Sequence, residues 1–289
     1  MTALRKKMLE DMRLRDLRPG TAVIYVRCVA SFARFFATSP AALGVRDVRR
    51  FLLHLETLGR APATRKVYYY ALAFLFTHTL GRPELMATVP APRVRSRRSG
   101  RALTEAEARY LLAALAHRPF DYTFFALMVA TGLRISEATV LRVDDIDRRA
   151  RLIRVRDGKG GKARAVMLSP RTLRLLERYW RVVRPRAPFL FPAQRLVRPG
   201  VVDAARRWSD RPVSTRTMAG RLRRIQPPSS MPITSHDLRR TFASWLIEQG
   251  YDLSLVQVLL GHSSPQTTAR YTRIHPNLIA RTPSPYDRL

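Results

Sequence analysis

The sequence has one cysteine, five lysines, few acids and no long apolar run, and each shortage excludes something. Cys28 alone can neither close an internal disulfide nor build a cysteine-rich zinc site. No apolar run reaches the roughly 18 residues of a membrane-spanning helix, so none is expected. The start of the chain, Met1 to Asp16, mixes charges of both signs and lacks the apolar stretch of a secretory signal. These features point to a cytoplasmic protein without structural metal.

The shortage of acids matters most. Against 53 Lys+Arg there are 21 Asp+Glu, a formal net charge of +32. Such a surface repels itself, and a polyanion is the partner that relieves the repulsion. The excess runs through the first hundred residues as well as the rest, which excludes a basic tail on a neutral enzyme. The apolar fraction, 46%, is that of an ordinary globular protein and argues against disorder. The cations are nearly all arginine: Lys6, Lys7, Lys66, Lys159 and Lys162 are the exceptions. The last two flank a single Gly-rich turn.

The 289 residues suffice for two modest domains. The periodicity predicts an N-terminal bundle of about four helices, with apolar stripes over 21–37 and 45–58 and an aromatic-rich segment at 64–80. Gly59-Arg60-Ala61-Pro62 and Gly81-Arg82-Pro83 separate these segments. Residues 91–101 then carry Arg93, Arg95, Arg97, Arg98 and Arg101 with no acid, and read as a basic linker along phosphates or a solvated tether. The expected domains are therefore 1–90 and 102–289.

The second domain opens at a capping box, Thr104-Glu105-Ala106-Glu107. An apolar helix over 122–131 ends at Gly132. Strands over 151–157 and 162–168 should form a hairpin around Gly158-Lys159-Gly160-Gly161. Helices are predicted near 170–183, 214–225, 237–249 and 252–260, and another from Ser264-Pro265. The expected fold is mainly α with a small antiparallel sheet.

Several residues in this domain suit phosphate chemistry. Arg134 follows a Gly break at a helix start, where free N–H groups favour anions and a guanidinium can fork onto two oxygens. Lys159 sits in a turn whose glycines allow close approach to another backbone. A lysine of lowered pKa can give up a proton, which an arginine effectively cannot. His236 and Arg239 share a helix face at i and i+3. Gly261-His262 closes one helix, and Tyr271 lies in the next. Taken singly each has a plain alternative: Arg134 a solvated face, the lysine turn a hairpin tip, His262 a helix end favoured by the dipole, Tyr271 a core residue.

Together, Arg134, Lys159, His236-x-x-Arg239, Gly261-His262 and Tyr271 resemble the signature of the tyrosine recombinases, or phage-type integrases. The surrounding words resemble it too: Ala130-Thr131-Gly132-Leu133-Arg134-Ile135-Ser136-Glu137, His236-Asp237-Leu238-Arg239-Arg240-Thr241-Phe242-Ala243, and Leu259-Leu260-Gly261-His262 leading to Thr267-Thr268-Ala269-Arg270-Tyr271. The likeness covers about 102–275, with Ala138 where a leucine is usual. It extends more faintly to the N-terminal bundle, which is similar to a SAM-like core-binding domain.

The resemblance implies a mixed α/β catalytic domain and a DNA recombinase that cleaves and rejoins strands. Tyr271 would attack the scissile phosphate to give a 3′-phosphotyrosine and a free 5′-hydroxyl. Lys159 would protonate the leaving oxygen, with Lys162 the less suited alternative. Arg134 and Arg239 would hold the non-bridging oxygens, His236 would assist proton removal from Tyr271, and His262 would hydrogen-bond the phosphate. It further implies no metal or nucleotide cofactor, a double-stranded DNA partner, and four protomers on two duplexes from a monomer in solution. A bacterial mobile element and a place at the nucleoid are implied too. Ile274, Leu278, Ile279 and Leu289 of the tail would dock on a neighbouring protomer, or the tail would be a frayed terminus. Two other readings stand beside this one, a DNA-binding protein without catalysis and a type IB topoisomerase-like relaxing enzyme.

Overall fold

The computed structural model describes residues 2–93, 101–156, 163–194, 208–225, 232–261, 279 and 282–289. The chain divides into two compact units, Met1–Arg97 and Arg98–Leu289. Of the expected linker 91–101, residues 94–100 lie outside the described residues.

The first unit is helical: α1 (Ala3–Leu14), α2 (Pro19–Phe36), α3 (Val45–Thr57), α4 (Pro62–Phe74) and the short α5 (Glu84–Ala87). Proline begins α2 and α4, where its missing N–H costs no hydrogen bond. Helix α3 buries Val48, Phe51, Leu52 and Leu55, the four residues of its apolar stripe. Phe32 of α2 is fully buried, with Phe51 edge-on at 5.2 Å and Phe76 at 6.3 Å between ring centroids. The predicted 64–80 helix is continuous, but its last turn, Leu75–Thr79, widens to a π-helix. Helix α1 carries little sequence signal, because it contributes only Met8 and Met12 to the core. Burial pushes the Cys28 thiol up to about 11 and keeps it unreactive.

The second unit is built around α7 (Pro119–Thr131). Every residue from Thr123 to Thr131 is buried, so this helix is apolar on all sides. Helix α6 (Glu105–Ala114) starts at the Thr104 capping box, with Glu107 N–H donating to Thr104 Oγ1 at 3.2 Å. After α8 (Ile135–Val140) come β1 (Ile146–Asp147), β2 (Leu152–Val155) and β3 (Arg164–Met167), an antiparallel sheet in chain order. Ile153 faces Val166, which fixes the register. The strands of the hairpin are shorter than the apolar alternation predicts, and its turn, 157–162, lies outside the described residues.

Helix α9 (Pro170–Val183) precedes a strand pair, β4 (Pro192–Gln194) and β5 (Trp208–Pro212). That pair has no sequence signal, since Pro192-Ala193-Gln194 lacks the β-branched and aromatic residues of a strand. Its role is in packing: Phe120 and Trp208 stack at 5.7 Å, and Phe191 meets both Phe120 and Phe124 edge-on. Helices α10 (Thr215–Arg223), α11 (Ser235–Glu248) and α12 (Leu253–Leu260) complete the unit. A second cluster, including Met167, Phe242, Leu246, Leu255, Val256 and Leu259, seats α12 against α11 and β3.

The described part of the tail packs within its own unit. Ile279 joins the α11–α12 cluster, Leu289 packs beside Tyr286, and Ser284 Oγ donates to Ala130 O at 2.8 Å. Ile274 and Leu278 lie outside the described residues, as does the helix expected from Ser264-Pro265. Among the described residues no helix is long and apolar enough to cross a membrane.

Candidate active site

The site begins where α7 ends. Gly132 takes a left-handed conformation, φ 63°, which turns the chain sharply after Thr131. A Cβ there would lie 2.4 Å from Phe242 Cδ1, so only glycine permits this approach of α7 to α11. The turn delivers Arg134 to the N-cap of α8, in extended conformation. Glu137, one turn on, accepts from the Arg134 backbone N–H at 2.8 Å and from Arg134 Nη1 at 2.8 Å. That carboxylate is buried, and it serves as cap and counter-ion at once.

Helix α11 supplies the next arginine. Its own capping box joins Thr234 and Asp237, with Asp237 Oδ2 accepting from Thr234 N–H at 2.9 Å. The buried Asp237 also accepts from the Arg101 N–H at 3.2 Å, and Leu103 N–H donates to Thr241 Oγ1 at 2.8 Å. The chain entering the second unit is thus pinned to the start of α11. His236 is exposed in the first turn, and Arg239, one turn further, is buried. Arg239 Nη1 donates to Gly132 O at 2.8 Å, and its Nη2 donates to Leu260 O.

Three guanidinium groups converge on the last turn of α12. Arg239 donates to Leu260 O, Arg164 Nε donates to Leu259 O at 2.8 Å, and Arg134 Nη2 reaches Gly261 O at 3.5 Å. These carbonyls lack partners within the helix and form its negative end, so cations gather there. Arg164 also forks onto Glu137, Nη1 to Oε1 at 2.9 Å and Nη2 to Oε2 at 2.8 Å. Burial alone would raise the Glu137 carboxyl. The Arg164 hydrogen bonds and charge, with the Arg134 backbone and side chain, outweigh it and hold the group down at about 2. Arg239 moves the other way: burial first, then the charges of Arg134 and Arg164, push it down to about 9, with Glu137 opposing. A cluster so loaded with positive charge is primed for an anion.

Of the residues singled out in the sequence, Arg134 and Arg239 meet at consecutive carbonyls, that of the α12 C-cap Gly261 and that of Leu260, and α11 places His236 one turn before Arg239. Lys159, Lys162, His262 and Tyr271 lie outside the described residues. Arg164 was not singled out. Among so many arginines its identity carries no signal, and its partners lie 27 and 95 residues away. Among the described residues no group of three or more His, Cys, Asp or Glu is placed to hold a metal ion.

The phage integrase family matches residues 101–277, and the phage integrase N-terminal SAM-like domain matches residues 4–84. The candidate integrase/recombinase y4qK of Sinorhizobium fredii is 38% identical over 294 aligned positions, covering 100% of this chain and 90% of that protein. Tyrosine recombinase XerA of Pyrococcus furiosus is 28% identical, covering 94% and 91% respectively. The fold is shared with a lambda integrase tetramer bound to a Holliday junction, at TM-score 0.71 and 20% identity over 91% of this chain and 77% of that one. It is shared likewise with the Tn1549 transposon integrase in complex with circular intermediate DNA, at TM-score 0.65 and 18% identity over 94% and 95%.

Proposed function

The chain belongs to the phage integrase family of tyrosine-type site-specific recombinases, and from that premise we propose that it breaks and rejoins duplex DNA through a covalent bond to Tyr271. The observation that carries the proposal is the convergence of Arg134 and Arg239 on successive carbonyls at the end of α12, just before His262. A scissile phosphate resting there would meet two guanidinium groups held at fixed positions before it arrives.

The reaction follows from these groups. The Tyr271 phenolic oxygen attacks phosphorus while His236 takes its proton. The bond from phosphorus to the 5′ oxygen breaks, and Lys159 gives that oxygen a proton, leaving a 5′-hydroxyl and a 3′-phosphotyrosine. Arg134 and Arg239 stabilise the charge that grows on the non-bridging oxygens, a role worth about 2.7–4 kcal/mol for one donor in a comparable site. The charge that burial and its neighbours make costly on Arg239 is matched by the phosphate. Rejoining is the reverse: a 5′-hydroxyl attacks the phosphotyrosine and the phenol leaves. The diester energy is conserved in the adduct, so neither metal nor nucleotide is needed.

The partner is double-stranded DNA, which a net charge of +32 would attract, and exchange would engage four protomers on two duplexes. Residues 1–90 and the catalytic domain 102–289 would each bind the duplex, and the basic segment 91–101 that joins them would run along phosphates. The test is covalent trapping on nicked duplex fragments from the protein's own genomic flanks, in EDTA. We expect a protein–DNA adduct on denaturing gels that Tyr271→Phe abolishes. Tight, salt-sensitive binding with no adduct would contradict the proposal, and cleavage that appears only when Mg²⁺ replaces the EDTA would replace it with a nuclease.

A further inference from the structure

We propose that Arg164 is a positioning residue for the phosphate site, a buried guanidinium that sets where Arg134 and the end of α12 stand without itself touching DNA. This rests on the recombinase reading above and extends it to a residue outside the signature.

The geometry gives Arg164 a different task from its two neighbours. Its side chain is 8% exposed, against 22% for Arg134. Its fork takes both oxygens of Glu137, at 2.9 and 2.8 Å, and its Nε holds Leu259 O at 2.8 Å. A planar fork engaged on both oxygens fixes the plane of the carboxylate. That carboxylate in turn holds Arg134 by its backbone N–H and by Nη1. Arg134 is left with Nη2 on Gly261 O at 3.5 Å, the longest of these contacts, so this edge of a guanidinium held by Glu137 is the one open to an incoming oxygen. Arg134 is presented and Arg164 is sequestered.

Two further contacts tie Arg164 to the machinery. Its Leu259 contact fixes the last turn of α12, whose next carbonyl holds Arg239 and whose C-cap, Gly261, precedes His262. A Cβ on Gly261 would lie 3.0 Å from Arg164 Cδ, so the helix end and the side chain are packed against each other. Arg164 also opens β3, the strand that follows the turn carrying Lys159. One side chain therefore braces the arginine before α8 and the α12 terminus. Lysine there would keep the charge but lose the fork, reaching Glu137 or Leu259 O but not the present set of three bonds.

The test compares Arg164→Lys with wild type on the nicked duplex that gives the wild-type adduct, once with an ordinary scissile phosphate and once with a methylphosphonate there. A methylphosphonate carries no negative charge, so correct placement of Arg134 and Arg239 matters less to its cleavage. On the ordinary substrate we expect an unchanged Kd and a fall in single-turnover cleavage of about 100-fold, the scale of a displacement near 1 Å. On the methylphosphonate the deficit should shrink to a few-fold. An unimpaired variant overturns the proposal. So does a deficit equal on both substrates with a lowered Tm, which is the mark of a structural residue. Should Arg164→Lys fail to fold, Arg164→Gln, which removes one of three like charges, makes the same comparison. Absence of a wild-type adduct refutes the recombinase reading itself, whereas a wild-type adduct beside an unimpaired variant refutes only the role of Arg164.

Discussion

Glu137 brings its two carboxylate oxygens to four donors, and its acid behaviour reports how firmly they hold it. The carboxyl is held at about 2 instead of the usual 4.5. A carboxylate depressed in the folded state adds stability above its unfolded pKa and loses it as pH falls through the folded one. The difference corresponds to about 3 kcal/mol at neutral pH. Glu137→Gln should therefore cost roughly that much at pH 7. The gap to wild type should close between pH 4.5 and about 2. Urea unfolding at pH 7 and at pH 3 measures it, and a gap independent of pH would show that the charge of Glu137 is not what holds the arginines. Residue by residue, the sequence makes Arg134, His236 and Arg239 visible because each stands in a distinctive local word. Arg164 is invisible for a physical reason: its importance lies in partners on α8 and α12, and no local pattern records them.

The helix ends make the site. Gly132 closes α7, and Gly261 closes α12 with φ 61°. The carbonyls at these ends, Gly132 O and those of Leu259 to Gly261, each accept from one of Arg134, Arg164 and Arg239. Gly132→Ala should be more damaging than Gly261→Ala, because its Cβ would strike the Phe242 ring at 2.4 Å whereas at 261 the neighbour is a flexible arginine stem at 3.0 Å. Left-handed strain plus overpacking amounts to about 2–4 kcal/mol at Gly132. Thermal unfolding of the two variants checks the order, and equal losses would contradict it. Most of these elements are legible in the sequence because capping residues and apolar spacing agree: Thr104 starts α6 and the Val48 stripe defines α3, whereas α11 begins at Ser235, two residues ahead of the expected 237. The strand pair 192–194 and 208–212 is not, since its reason for existing is the stack of Trp208 on Phe120, a contact between distant segments. The packing of the tail is hidden for the same reason. Its weak apolarity gives no hint that Tyr286 finds a buried place among Leu112, Ala126 and Ala130.

At the scale of the whole chain, the two units each own a core. Phe32, Phe51, Leu72 and Phe76 centre the first, and Phe124, Phe125, Phe191 and Trp208 belong to the second. Units with separate cores fold separately. Residues 1–97 and 98–289, expressed apart, should each give a single cooperative thermal transition, and loss of cooperativity in either would mean that its core is completed by the other. Charge at this scale suits a polyanionic partner but says nothing of the proposed chemistry, which assigns the nucleophile to Tyr271. The most direct measurement is to digest the trapped adduct, find the peptide that carries the nucleotide, and ask whether the released strand end can be phosphorylated by a kinase. The nucleotide should be on Tyr271 through a 3′-phosphate, with a free 5′-hydroxyl on the released strand. An adduct on any other residue, or a 5′-phosphate on the released end, would contradict the mechanism.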